Sequence, residues 1–351
     1  MKLLIISDAW EPQTNGVVTT YKNMHRELNE LGLEVEIIHP GLFHSIPCPG
    51  YAEIRLSMNT WRMGAMIERS DADFIHLAVE GPLGLAAKRY LDKRDLRYTS
   101  SFHTRFPEYV TERFPFIPLD PGYKFMRWFH AKSSNILVTT PSMKQNLEKY
   151  GFDRMTIWGR GVDTEIFKPN GKTSLNPEYP TFLYAGRVAA EKNIEAFLRL
   201  DLPGRKVVVG DGPSRLALER KYPAAQFLGY KFGADLAEQY ANADVFVFPS
   251  KTDTFGLVML EAMACGTPVA AFPVPGPIDV ITSGVTGILS EDLQSAALEA
   301  LKLKHEDCRE HALTRSWRAC AQIMLKNLVP AKSKAHSKIA TEPTEKHGTN
   351  C

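Results

Sequence analysis

The strongest constraint on this chain is a pattern that runs along it twice: a short apolar run, a polar or glycine-bearing turn, then a helical repeat. Residues 2–7 form the first apolar run and residues 8–16 the turn, after which Val18, Tyr21, Met24, Leu28 and Leu31 recur at the spacing of one helix face. Gly32 follows the last periodic residue, as a helix C-terminus prefers, and residues 33–38 alternate as the next strand. Further strands are expected at 74–77, 98–103 and 136–139. The order restarts at Thr181, with strands expected at 181–185, 206–209, 244–248 and 268–272 and helical stretches between them.

Strands that alternate with helices specify parallel sheets covered on both faces, so the chain is expected to be α/β, with two Rossmann-like domains at 1–166 and 181–315. A stretch rich in Pro, Gly, Asn and Ser at 167–180 reads as the linker. Residues 316–330 form a last helix, and residues 331–351 have almost no apolar side chains and are expected to be disordered. A hydrophobic fraction of 44% over 351 residues is enough for two cores. The net charge of +2 is too small for the whole chain to bind nucleic acid electrostatically, so nucleic acid is not an expected partner. The first apolar run is stopped by Ser7 and Asp8, far short of the roughly 18 residues a spanning helix needs, so neither a signal peptide nor an anchor is expected. Cys48, Cys265, Cys308, Cys320 and Cys351 are odd in number and form no CxxC or Cys/His pairing, which points to a reducing cytoplasm without structural zinc.

Two such domains leave a cleft at the carboxyl ends of their strands, where open α/β sheets bind ligands. Three segments are expected there. The segment 184–193 follows a strand and opens a helix, putting Arg187 and Lys192 at a helix N-terminus that suits a diphosphate. A cation about 4 Å from a phosphate oxygen contributes roughly 4 kcal/mol at an effective dielectric near 20. The plain alternative is two solvated cations with Glu191 as a partner. Gly210 and Asp211, in Gly-Asp-Gly-Pro, occupy a second strand end, where glycine lets a backbone approach a ligand; a simple tight turn reads equally well. The third segment runs from Thr252 to Pro268, with Asp253, Thr254, Phe255, Gly256 and Leu257 at the turn and Glu261 on the helix that follows. A carboxylate at the turn can accept from sugar hydroxyls and one on the helix can grip a ribose diol. The plain alternative makes Asp253 a helix cap and Glu261 a solvent-facing residue.

These residues resemble the retaining family-4 glycosyltransferases of GT-B fold, over a span from Met1 to about Pro330. The family signature is a Glu, seven residues, and a second Glu around a Phe-Gly turn; here Asp253 takes the first place and Glu261 the second. Thr-Asp-Thr-Phe-Gly resembles the lipid-directed mannosyl, glucuronosyl and sulfoquinovosyl transferases of that family. The resemblance implies a GT-B fold in which the last helix crosses back to the N-terminal domain. It implies Arg187 and Lys192 on the donor diphosphate, Asp253 on the donor sugar, Glu261 on the ribose, and Asn15-Gly16 as a loop that meets the donor phosphates. It also implies His103 near the reacting sugar, where a histidine with an ordinary pKa near 6.5 could orient a hydroxyl or exchange a proton. Mannose, glucuronate, glucose and sulfoquinovose, and GDP and UDP, all stay open. Asp71-Ala72-Asp73 imitates a metal-binding DxD but precedes its strand and reads as a turn. No metal or other cofactor is expected, because Arg187, Lys192 and a helix terminus already oppose the leaving charge.

Between Lys88 and Lys132 lie ten Lys/Arg and five Asp/Glu, a local net of +5. Lys88, Arg89, Lys93, Arg94, Arg105 and Tyr109 are the expected acceptor and membrane face, with the interleaved aromatics expected mainly in the core. The expectation is therefore a hexosyl transfer from a GDP- or UDP-sugar to a lipid acceptor, by a cytoplasmic protein resting on the anionic inner face of the membrane. Two other readings are a transferase for a polysaccharide or soluble acceptor, and a nucleotide-sugar binder without transfer.

Overall fold

The computed structural model describes residues 1–48, 51–113, 116–170 and 179–332. The first part carries strands β1 (Lys2–Ile6), β2 (Glu34–Ile38), β3 (Ser45–Cys48), β4 (Tyr51–Ser57), β5 (Phe74–Leu77), β6 (Thr99–Phe102), β7 (Ile136–Val138) and β8 (Met155–Ile157). The second carries β9 (Thr181–Ala185), β10 (Arg205–Val209), β11 (Gln226–Phe227), β12 (Val245–Phe248), β13 (Val269–Ala271) and β14 (Gly287–Leu289). Helices of the first part are α1 (Gly16–Glu30), α2 (Met63–Ser70), α3 (Pro82–Lys93), α4 (Phe106–Arg113), α5 (Leu119–His130) and α6 (Pro141–Lys149). Those of the second are α7 (Ile194–Leu198), α8 (Arg215–Lys221), α9 (Gly233–Ala241), α10 (Leu257–Ala264), α11 (Pro277–Val280), α12 (Leu293–Ala300), α13 (His305–Leu313) and α14 (Trp317–Asn327).

Each part builds one six-stranded sheet, ordered β2-β1-β5-β6-β7-β8 and β11-β10-β9-β12-β13-β14, and every pairing within the two is parallel. Strands buried on both faces need not alternate, and β9 and β12 are buried at every position. The order reverses between β1 and β5 in one sheet and between β9 and β12 in the other. Helices leave opposite faces at such a point, and the crevice they open at the strand ends is where ligands go. Of the expected linker, residues 171–178 lie outside the described residues, as does the expected tail from 333 onward.

Local signals explain the first unit. Asn15 caps α1, its Oδ1 accepting from the backbone N–H of Val17 (3.0 Å) and Val18 (3.1 Å). Gly32 ends the helix at φ +85°, a conformation costly for any residue with a Cβ. The buried face of α1, with Tyr21, Met24 and Leu28, packs against Trp317, Cys320, Ala321 and Met324 of α14. That is how the chain's last helix returns to the first domain, as expected. Ser316 caps α14. Beyond it Ala331 bonds Asp73 and Arg97 backbone to backbone. The β3–β4 antiparallel hairpin and the short strands β8, β11 and β14 are additions to the expected set.

Candidate active site

The second sheet reverses where the chain leaves β9 and β12, and there Lys192 Nζ and Asp253 Oδ1 meet at 2.6 Å. Asp253 Oδ2 is buried with no partner among the described residues. The ion pair rules out the capping role for Asp253: Gly256, at φ +84°, is the N-cap of α10. A buried carboxylate oxygen with an unused lone pair is costly unless something fills it. Ser250, two residues past β12, holds a second buried hydroxyl without a partner among the described residues.

The turn after β9 departs from expectation in one respect. Lys192 ends a 3-10 turn, Ala190–Lys192, and Asn193, in the left-handed region at φ 50°, separates it from the five-residue α7. Lys192 therefore sits on a tight turn ahead of the helix rather than on the N-terminus of a continuous one. Arg187 lies on the strand-end loop, its carbonyl accepting from the Tyr184 hydroxyl at 2.7 Å. The charges of Lys192, Asp253, Glu191 and Arg187 all act on that hydroxyl. Tyr184 acts in turn on Tyr240, whose hydroxyl donates to Glu261 Oε2 at 3.1 Å. Lys192 and Asp253 are thus in direct contact, Arg187 is held beside Tyr184, and Glu261 is placed on α10 by its bond from Tyr240. Burial pushes the Glu261 carboxyl up to about 7, with the Tyr240 hydrogen bond pulling weakly the other way.

Gly210 has a role different from the expected ligand approach. A Cβ there would stand 1.9 Å from the Gly186 carbonyl, so the glycine lets two strand-end loops pack backbone to backbone. Val188 N–H donates to the Asp211 carbonyl (2.9 Å), and the Asp211 carboxylate pairs with Arg215 (2.7 Å). The second loop holds the first in place.

Across the cleft, Gly16 faces Leu257 at the start of α10, where an added Cβ would come within 3.4 Å of its side chain. Asn15-Gly16 therefore lies beside the turn of residues 253–257, and Asn15 is engaged in capping α1. Thr254 is gripped from the first domain at both ends. Its hydroxyl donates to the His103 carbonyl (2.6 Å), and its own carbonyl accepts from Thr139 (2.8 Å). Phe255 is buried in the core of the second domain.

His103 corrects one expectation. It is 5% exposed and both ring nitrogens are taken, Nδ1 by Arg160 (2.6 Å) and Nε2 by the Tyr21 hydroxyl (2.9 Å). Burial, then the Arg160 charge, push its pKa well below 6.5, which favours the neutral imidazole. Arg160, Tyr21 and His76 form this network between segments distant in sequence; Arg160-Gly161-Val162-Asp163-Thr164 resembles the family's segment leading into the linker, but nothing in that run points to His103. Asp8, after β1, caps α3 through Leu83 and Gly84, and burial lifts its carboxyl to about 6.

The expected acceptor face divides. Arg89, Lys93 and Arg94 are exposed, whereas Lys88 is 3% exposed, bonded to Asp92 at 2.5 Å and stacked 4.7 Å from the Trp128 ring centroid. Arg105 is likewise tied to Glu108 at 2.7 Å. Those two cations are structural, because an i,i+4 and an i,i+3 acid neutralise them. The Tyr109 side chain lies outside the described residues. Tyr123 and Phe129 are core as expected, but Phe125, Trp128 and Phe116 are exposed, as is Trp61 beside Arg89, Tyr90 and Arg94. Asp71-Ala72-Asp73 is a turn, with Asp71 in the left-handed region. Cys265, Cys308 and Cys320 are free thiols.

Two doubly wound parallel sheets, with a Lys192–Asp253 ion pair at the switch point of the second, are the architecture of the GT-B glycosyltransferases. Residues 14–166 match the family Glycosyltransferase Family 4 and residues 179–305 the family Glycosyl transferases group 1. The chain is 29% identical over 315 residues to a GDP-mannose-dependent alpha-mannosyltransferase of Mycobacterium tuberculosis, covering 82% of this chain and 83% of that one. It is 30% identical to the sulfoquinovosyl transferase SQD2 of Arabidopsis thaliana (88% and 70% covered) and 27% identical to an alpha-monoglucosyldiacylglycerol synthase of Acholeplasma laidlawii (77% and 79%). A solved sucrose-phosphate synthase from Thermosynechococcus elongatus shares the fold, with a TM-score of 0.73, 21% identity, and 93% and 97% coverage. The chain belongs to the family-4 glycosyltransferases.

Proposed function

We propose that this glycosyltransferase moves a hexosyl group, mannosyl or glucuronosyl in first place, from a nucleoside diphosphate sugar to a membrane lipid such as diacylglycerol or a glycolipid, with retention and without metal. The observation that carries this is the Lys192–Asp253 pair with its orphaned Asp253 oxygen at the switch point. A donor sugar hydroxyl would satisfy Oδ2, while Lys192 and Arg187 oppose the charge that builds on the departing diphosphate. Glu261 would hold the ribose, and the Asn15-Gly16 loop, lying against Leu257, would close over the donor phosphates. His103 contributes its carbonyl, through Thr254, rather than its ring. With that ring neutral and bonded, the departing phosphate oxygen is the base left to take the acceptor proton in a front-face attack.

The lipid acceptor draws support from the relative named for a diacylglycerol product and from the exposed face of Arg89, Lys93, Arg94, Trp61, Phe125 and Trp128. Each cation near an anionic leaflet contributes about 1 kcal/mol, and exposed aromatic rings suit the headgroup layer. The deciding experiment incubates the purified chain with GDP- and UDP-sugars and diacylglycerol in anionic or neutral vesicles, in EDTA, and assigns the product anomer by NMR. An α-glycolipid formed in EDTA, faster on anionic vesicles, is expected. A β-product, or turnover abolished by EDTA, would overturn retention or metal independence, and equal non-binding to both vesicles at low salt would end the membrane assignment.

A further inference from the structure

Arg160, in the loop after β8, is 5% exposed and pairs with no carboxylate among the described residues. Its guanidinium lies over the Trp158 ring, 4.5 Å from the centroid, and donates to the Gly159 carbonyl at 2.5 Å and to His103 Nδ1 at 2.6 Å. Holding an uncompensated cation out of water is costly, and an apolar side chain of similar size would cost less. Packing alone does not account for it.

A guanidinium only donates, so His103 Nδ1 must carry the lone pair and Nε2 the proton. That N–H donates to Tyr21 Oη at 2.9 Å, and the Tyr21 hydroxyl passes its own proton towards His76 Nε2 (3.0 Å) or Ser101 Oγ (3.2 Å). The ring is thus fixed at both nitrogens, one residue past the end of β6. The carbonyl of the same residue takes the Thr254 hydroxyl, and Thr254 directly follows Asp253.

We propose that Arg160 is a positioning residue for the donor turn: by locking the His103 ring it fixes the His103 carbonyl, which with Thr139 holds Thr254 and sets Asp253 against Lys192. The cation acts on the donor at second hand, through one imidazole and one threonine. The proposal rests on the donor-site reading above, and its test separates the two.

Donor KM and kcat are measured for Arg160→Gln, Thr254→Val and the double variant. A lost hydrogen bond of ordinary worth raises the donor KM about tenfold in each single variant. Because both substitutions break one relay, the double variant is expected within about twofold of the worse single one. A purely structural role would lower kcat by reducing the folded fraction and leave KM unchanged. That result, or a multiplicative effect near a hundredfold in the double variant, overturns the proposal. The 15N spectrum of histidine-labelled wild type, without donor, gives a reading that needs neither turnover nor a folded variant. His103 is expected as the Nε2-protonated tautomer, unchanged between about pH 5.5 and 8. An Nδ1-protonated or titrating His103 would sink the Arg160 relay even if transfer is observed. If no nucleotide sugar turns over, the failure falls on the donor-site reading and the tautomer alone decides the relay.

Discussion

Replacing Glu261 by glutamine is expected to make the unliganded chain more stable and the enzyme worse. The carboxyl sits at about 7 in the folded chain against an ordinary 4.5, with burial the leading cause. Below about pH 4.5 both folded and unfolded chains hold the proton, and no penalty exists. As pH rises from there to about 7 the unfolded chain ionises first, so stability falls across that window, and above it the whole penalty is present. A gap of about 2.5 pKa units corresponds to roughly 3.4 kcal/mol, and the partial exposure of the Glu261 side chain reduces it to about 2 kcal/mol. Glutamine keeps an oxygen for the Tyr240 hydroxyl and removes the charge. The expected result is a melting temperature about 4–8 °C above wild type at pH 8, shrinking to nothing at pH 4.5. The ribose diol then meets an amide instead of a carboxylate, weakening donor binding by about tenfold. Thermal melts at both pH values, with and without GDP- and UDP-sugars, read both effects. Melts that coincide at pH 8 would show that no buried charge of this kind exists, and a stabilised variant with undiminished donor binding would remove Glu261 from the site.

Two further substitutions test the frame that holds the site. Trp317→Ala removes a buried side chain that joins α14 to α1, and should cost about 3–5 kcal/mol in denaturant unfolding; a loss under about 1 kcal/mol would mean that the crossover helix is not docked. Gly210→Ala drives a methyl group into the Gly186 carbonyl at φ +129° and should lower the melting temperature while displacing the Arg187 loop; a variant with wild-type stability and donor KM would contradict the interlocked loops.

The two sheets were readable in the sequence because parallel strands buried on both faces are continuous apolar runs, and each run here is followed by a turn signal and a helix repeat. The short strands β8, β11 and β14 were not, since two or three residues carry no period. Arg187, Lys192 and Asp253 were placed on the loops after β9 and β12, and Glu261 on the helix after them, because a turn signal follows each apolar run in the second half. The pairing was not legible: the 2.6 Å contact of Lys192 with Asp253 joins loops 61 residues apart. Lys88 and Arg105 were misassigned to the surface although Asp92 and Glu108 stood four and three residues on, a spacing at which helical side chains meet. The His76–Tyr21–His103–Arg160 network joins helix α1 to β5 and to the ends of β6 and β8, and only the fold brings those together.

Calorimetric titration of wild type and Lys192→Met with UDP and GDP, and with UMP and GMP, asks most directly whether the switch point is a diphosphate site. Wild type should favour one of the two diphosphates over its monophosphate by a hundredfold or so, as expected for a second phosphate held near a desolvated cation, and Lys192→Met should erase most of that preference while leaving monophosphate affinity unchanged. An undiminished preference in Lys192→Met would place the diphosphate elsewhere and contradict the account.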